Sequence, residues 1–118
     1  MISIAACKTN FDNCQAEGDR LNGIQVAWGG GADKAMAYGN VASVWGMLYI
    51  ERSRFEKQGI TPSAAAVVYG DRAEALLNKA MPKMYNELAV AASYANLASN
   101  AAFLFAEQVR VDNTTKAV

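Results

Sequence analysis

The sequence predicts an all-α protein, and three observations carry that prediction. Apolar residues recur at alternating steps of three and four along most of the chain, which is the period of an amphipathic helix. Glycine and proline clusters divide the chain into segments of helical length. The one stretch with strand-like composition, residues 63 to 70, has no second candidate strand to pair with.

We therefore expect three to five helices with short turns, arranged as a helical bundle or as extended helical hairpins completed by oligomerisation. A chain of 118 residues suits a single helical domain over residues 1–118. The expected elements are helices near residues 8–28, 32–58, 62–81 and 83–111, followed by a frayed tail at residues 112–118.

The first helix is predicted from an apolar stripe that steps by four and three residues from Cys7 to Trp28. It ends before three consecutive glycines, Gly29 to Gly31, which favour a reversal of the chain. Cys7 and Cys14 share one face of this helix about 10 Å apart along the axis, which is too far for a disulfide. We expect them to be two small, buried apolar residues.

The second helix is predicted to begin with Asp33 near its positive N-terminus and to stop before Gly59. Residues 35 to 50 carry no charged side chain. Four small residues form two small-xxx-small pairs there: Ala35, Gly39, Ala42 and Gly46. Because glycine inside a helix costs about 1 kcal/mol relative to alanine, we expect another backbone to approach this stripe closely.

A third helix follows the turn at residues 60 to 63, where Thr61 can cap it and Pro62 fits its first position. Alternatively, Gly70 ends this helix, and Asp71 with Glu74 forms the capping pair of a further one.

Pro82 must kink or break the chain before the last helix, whose residues 88 to 106 carry no charge. One face of that helix forms an apolar seam: Val90, Tyr94, Leu97, Ala101, Leu104 and Phe105. The opposite face carries a polar line at steps of seven: Asn86, Ser93, Asn100 and Glu107. Because solvated faces usually carry Lys, Glu and Arg, this polarity indicates contact with another helix, an aqueous lumen or a neighbouring subunit. We expect a mostly buried helix; a bilayer segment and an ordinary surface helix are the alternatives.

Composition limits the classes of function. Hydrophobic residues make up 53% of the chain and charged residues 19%, against about 25% charged in typical domains. Eleven Lys and Arg balance eleven Asp and Glu, so no net field favours nucleic acid and no net charge opposes self-association. The N-terminus has no basic region and no adequate apolar stretch for a secretory signal, so we expect none.

The residues for catalysis are also sparse. The chain contains no histidine, which removes the commonest general base and nitrogen ligand. Its glutamates follow no metal-ligand or acid–base spacing, and the glycines before Lys34 lack the spacing of a phosphate-binding loop. We therefore predict a protein that is not an enzyme and that holds no cofactor or metal.

Residues 26 to 31, with the sequence Val-Ala-Trp-Gly-Gly-Gly, lie between two predicted helices and precede Ala37-Tyr38-Gly39 and Trp45. This arrangement resembles the W-x-G turn of the small helical-hairpin proteins exported by type VII secretion, over residues 26 to 45 only. The first helix is short for that family, further helical sequence follows the second, and no YxxxD/E export signal comes after it. The resemblance implies a hairpin that works as a heterodimer, and it assigns no functional residue.

The helix faces lead to the hypothesis of a non-enzymatic structural protein, a subunit of a homo-oligomeric helical assembly such as a virion or conduit component. Its interfaces are expected at the small-residue stripe, the apolar seam and the polar line, with copies of itself or other helical proteins as partners. The alternatives are a secreted W-x-G-type heterodimer and a membrane hairpin made of residues 35–50 and 88–106. The location stays open between a virion and signal-less export.

Overall fold

The computed structural model describes residues 1–28, 32–85 and 87–117, and it describes side chains at residues 1–20, 36–83, 87 and 89–114. The described residues form an all-α fold without a strand, which confirms the predicted class. The elements in chain order are α1 (Ile4–Trp28), α2 (Ala32–Lys57), α3 (Ala64–Ala80), a 3₁₀ helix (Met81–Tyr85) and α4 (Leu88–Ala117). The predicted glycine turn at residues 29 to 31 lies outside the described residues.

The helices pack in two antiparallel pairs, α1 with α2 and α3 with α4. Contacts between α2 and α4 join the pairs, and the rings of Phe55 and Phe105 meet there edge to face with their centroids 6.3 Å apart. Within the described residues, the backbone of α1 contacts α2 alone among the helices. The molecule measures 58 × 24 × 19 Å. Its radius of gyration is 15.6 Å, against about 13.5 Å for a compact chain of this length, so the bundle is elongated.

The core lies between these helices and combines large residues of α2 with small residues of α4. Trp45 and Leu48 of α2 are fully buried. The described part of α4 buries six alanines and two larger residues: Ala91, Ala95, Ala98, Ala101, Ala102, Ala106, Phe105 and Val109. Alanine lets neighbouring helices approach closely, so this face packs with little side-chain volume of its own. The indole Nε1 of Trp45 has no hydrogen-bond partner among the described residues.

Two serines set the beginnings of α1 and α3. The Ser3 hydroxyl accepts a hydrogen bond from the amide of Ala6 at 3.1 Å, so α1 begins at Ile4, earlier than residue 8. The Ser63 hydroxyl accepts from the amide of Ala66 at 3.2 Å. The assignment of Thr61 as the cap and Pro62 as the first helical residue is therefore wrong, because the chain turns into the helix at Ser63.

Two predicted breaks are confirmed. Gly59 has φ +70°. Its amide donates to the carbonyl of Glu56 at 3.0 Å, and the amide of Ile60 donates to the carbonyl of Phe55 at 2.9 Å. These two bonds form a Schellman motif, which requires the left-handed conformation that glycine adopts readily. Pro82 lies in the 3₁₀ helix, and α4 begins only at Leu88, later than the predicted residue 83.

The alternative that α3 ends at Gly70 is wrong, because the helix continues to Ala80. Gly70 is buried, and a Cβ there would clash with the Met1 side chain and lie 3.3 Å from the ring of Phe105. The missing side chain thus serves close packing inside the helix. Glu74 does not act as a helix cap and instead binds the amide of Ile2.

The predicted frayed tail is also wrong for residues 112 to 117, which continue α4. Side chains reach back onto the helix: Asn113 Nδ2 donates to the carbonyl of Val109 at 2.7 Å, and Thr114 Oγ1 donates to that of Arg110 at 2.8 Å. The hydroxyl of Ser63 donates to the carboxylate of Asp112. The bond between Ser63 and Asp112 joins the last turns of α4 to the start of α3, whereas the other two bonds lie within α4.

Candidate interaction face on α3 and α4

Four large aliphatic residues lie on the outside of α4 at steps of seven. Val90, Leu97, Leu104 and Val111 are 40%, 50%, 49% and 56% exposed. Residues seven apart on a helix differ by only about 20° in direction, so the four side chains form one line along the helix. We call this line the α4 stripe.

The predicted seam is divided between the core and the surface. Ala101 and Phe105 of the seam are buried, whereas its large aliphatic members Val90, Leu97 and Leu104 are exposed. Tyr94 is half-buried, with the Lys79 ammonium 6.0 Å from its ring centroid. The seam stays a predicted interface, and its large aliphatic members lie on the surface of the chain.

The predicted polar line lies beside the α4 stripe. Ser93, Asn100 and Glu107 are exposed on α4, and Asn86 lies outside the described residues. Each of the three follows a stripe residue by three positions, so stripe and polar line together form one surface with alternating steps of three and four. The sequence analysis predicted that the apolar seam and the polar line lie on opposite faces of the helix. In the structure the polar line lies next to the exposed residues of the seam.

Residues of α3 complete this surface. Arg72 and Leu76 line a groove of about 230 Å³ together with Leu97, Asn100, Ala101 and Leu104. Val68, one turn before Arg72, is 64% exposed. Sequence reasoning missed these residues of α3, although the spacing of Val68, Arg72 and Leu76 at steps of four indicates a single face. We call the α4 stripe, its polar line and these three residues the α3–α4 face.

The predicted small-residue stripe on α2 is only partly buried. Ala42 is 1% exposed, and a Cβ at buried Gly46 would lie 3.3 Å from the Phe11 ring of α1. Gly39 is exposed, and no described atom lies within 4 Å of the position of its Cβ. Within the described part of this chain no atom approaches Gly39 closely, and at Gly46 the neighbour is a side chain. A close approach by another subunit stays a prediction. The side chain of Ala35 lies outside the described residues.

Two separate apolar residues are exposed on the outside of α2. Met36 is 63% exposed and Ile50 is 53% exposed, and they lie fourteen residues, or about 21 Å, apart along the helix. Around Ile50 the surface also contains half-buried Tyr49 and the basic residues Arg54 and Lys57. We call Met36 and Ile50 the α2 patch.

A polar cluster ties the N-terminus to α2 and α3. The carboxylate of Glu74, 6% exposed, accepts from the amide of Ile2 at 3.1 Å and lies 3.7 Å from Arg52 Nη1. Arg52 also donates to the carbonyl of Ile2. The terminal amine of Met1 lies 2.9 Å from Asp71 Oδ1. Burial raises the pKa of Glu74, while the hydrogen bond to Asp71 raises the pKa of the amine.

The two thiols are poor nucleophiles. Cys7 and Cys14 are buried on α1, as the sequence predicts, and they are not bonded to each other. Burial raises the pKa of Cys7, which outweighs the opposing effect of Arg52, and burial raises the pKa of Cys14 to about 11. Because the thiolate is the reactive form, neither thiol is poised for nucleophilic chemistry. Among the described residues no group of three His, Cys, Asp or Glu side chains could hold a metal ion.

One described helix, over Ala89–Thr114, is long and apolar enough to cross a bilayer by length and composition. Residues 35–50, the other half of the predicted membrane hairpin, do not meet the same criterion. Comparison of the chain with protein-family models, curated proteins and solved structures found no match.

Proposed function

We propose that this protein is a non-enzymatic structural subunit of a homo-oligomeric helical assembly, of the kind that builds virions or conduits. The observation that carries the proposal is the α4 stripe, whose four large aliphatic side chains are between 40% and 56% exposed along a 30-residue helix. A continuous line of this kind on a soluble chain is typical of a surface that contacts another protein.

The energetics favour burial of the stripe against a partner. Removing apolar surface from water stabilises a complex by roughly 25 cal/mol per Å², and four half-exposed aliphatic residues offer a few kcal/mol in total. The formal net charge of the chain is zero, so copies do not repel each other over long range. Met36 and Ile50 of the α2 patch are two further apolar side chains that a second neighbour could contact.

The solution mass of the purified chain, measured without detergent by light scattering across a concentration series, tests the proposal. We expect a defined oligomer or a filament. Replacing Leu97 and Leu104 together by glutamate should lower the mass, because it puts two charges into the stripe. The matched control replaces Asn78 and Asn13, which are exposed positions outside the α3–α4 face, by glutamate and should leave the mass unchanged. A stable monomer at all concentrations contradicts the proposal.

A secreted hairpin heterodimer is a second candidate, favoured by the antiparallel packing of α1 and α2 on either side of the Trp28-Gly29 sequence. It predicts copurification with a helical partner of similar size and loss of export when Trp28 is replaced. In this chain, however, α4 packs against α2 and takes up part of the surface that the partner needs.

A membrane protein is a third candidate, favoured by the length and composition of Ala89–Thr114. It predicts that the chain fractionates with membranes and resists a salt wash. The buried alanine face of α4 weighs against it, because insertion of α4 into a bilayer would separate this face from α2 and α3.

A further inference from the structure

We infer that two copies of this chain pair through the α3–α4 face with their α4 helices antiparallel, about a two-fold axis that passes between Asn100 and Ala101. This inference rests on the proposed function, and it names the partner and the register of one contact. The carrying observation is the symmetry of the α4 stripe about that point.

In an antiparallel pair centred there, Leu97 of one copy lies level with Leu104 of the other, and Val90 lies level with Val111. Each large aliphatic side chain therefore meets another large aliphatic side chain. A two-fold contact requires this self-complementarity, because the same residues are used on both copies. The α4 stripe turns around the helix axis by about 20° every seven residues. A left-handed supercoil of the two helices keeps the stripe in contact along its length.

Asn100 lies next to the two-fold axis, so its side chain lies beside Asn100 of the second copy. It is exposed and lines the groove between α3 and α4. The amide of asparagine both donates and accepts, so the two copies can bond reciprocally. A single asparagine at such a position favours one register of paired helices, because a shift by a whole heptad separates the two amides.

The charges at the edge of the face nearest α2 are already paired within one copy. Glu107 Oε1 lies 2.8 Å from Arg110 Nη1, and Arg110 Nη2 lies 2.8 Å from Glu51 Oε2 of α2. The α4 stripe can therefore be covered without burying an unpaired carboxylate at this edge.

The available area is close to that of a stable dimer. The 30 residues of α4 and the 17 residues of α3 extend about 45 Å and about 25 Å, and a strip about 10 Å wide along both covers on the order of 700 Å² per copy. Standard interfaces cover about 800 Å² per partner. The groove beside Leu76 gives the second α4 helix a concave surface to enter.

Cysteine cross-linking tests the register. Asn100→Cys places two thiols on either side of the axis, so mild oxidation should give a covalent dimer. Ser93→Cys is the matched control on the same face, because its two copies would lie about 22 Å apart along the axis, beyond the reach of a disulfide. The native thiols are buried in α1, so they do not compete.

The outcomes separate the inference from the proposed function. Cross-linking at residue 100 alone supports the inference. Cross-linking at both positions indicates a parallel pair and overturns it. An oligomer by light scattering without a cross-link at residue 100 overturns the register while the proposed function stands. A monomer by light scattering contradicts both.

Discussion

Glu74 is the residue whose environment departs most from its sequence context. It lies within a helix at a position where charge is usually solvated, yet it is buried against the amide of Ile2 and the guanidinium of Arg52. No local pattern predicts this contact, because the partners come from the N-terminal segment and from α2. The sequence suggested a helix cap instead, since the spacing of Asp71 and Glu74 fits one.

Because burial raises the pKa of Glu74, the folded state binds its proton more tightly than the unfolded state. Its contribution to the free energy of unfolding is therefore fully present below the usual glutamate pKa of about 4.3 and decreases as pH rises through the raised value. Glu74→Gln should remove this dependence. As pH rises from 4 to 7, the free energy of unfolding of the variant should increase relative to that of the wild type. The increase should be about 1.4 kcal/mol for each unit by which the pKa of Glu74 differs between the folded and unfolded states.

Urea unfolding of both proteins at several pH values, followed by circular dichroism, measures this difference. Glu87→Gln provides the control, because Glu87 is exposed and pairs on the surface with Lys83. A stability difference between Glu74→Gln and the wild type that does not change with pH would contradict the assignment.

At the scale of the helix, the accuracy of sequence reasoning depends on how local the signal is. Gly59 and Pro82 act through their own backbone, so their breaks are predictable. The N-cap of α3 was assigned to the wrong residue because Thr61 and Ser63 both carry a hydroxyl and lie two residues apart. The hydrogen bond from Ser63 to Asp112 distinguishes them, and the sequence does not predict this tertiary contact.

Ser63 therefore stabilises α3 in two ways, as its N-cap and through Asp112 of α4. Ser63→Ala should lower the free energy of unfolding by about 1–2 kcal/mol. Thr61→Ala, at an exposed position outside the helix, should change it by less than about 0.5 kcal/mol. Urea denaturation with fits to both midpoint and slope measures the two effects, and equal loss in both variants would be inconsistent with the cap at Ser63.

The orientation of α4 was harder to predict, because its periodicity fits more than one face. Large residues and alanines both recur at helical steps on this helix. The sequence predicts a mostly buried helix, but its periodicity does not tell which of these residues face the rest of the chain. In the structure the alanines face inward, because α2 and α3 supply the large side chains Trp45, Leu48 and Leu77. The side-chain volume that fills the core comes from all the helices that pack together. The sequence of one helix does not determine how much of this volume each helix contributes.

At the scale of the whole molecule, the unequal packing of the helices governs how the chain opens. Among the described helices α1 has backbone contacts with α2 only, whereas α4 contacts both α2 and α3. Helices with fewer packed neighbours open at lower free energy than the molecule as a whole. Cys7 and Cys14, both on α1, report this opening.

We expect thiol modification of the folded protein at pH 8 to be much slower than in urea, because both thiols are buried with raised pKa values. The free energy of opening of α1, obtained from the modification rates, should be lower than the free energy of global unfolding measured by circular dichroism. It should also depend less on the urea concentration. Identical values from the two methods would mean that α1 is released only on global unfolding. Mass spectrometry of each cysteine separates the two sites.

The α3–α4 face and the α2 patch have different consequences for stoichiometry. A two-fold contact is closed, because it occupies the same surface on both copies and leaves nothing for a third. Growth beyond a pair must then proceed through a different surface, for which Met36 and Ile50 are available. An assembly built in this way grows by pairs and contains an even number of chains, and its symmetry includes two-fold axes whichever ring or filament the pairs form.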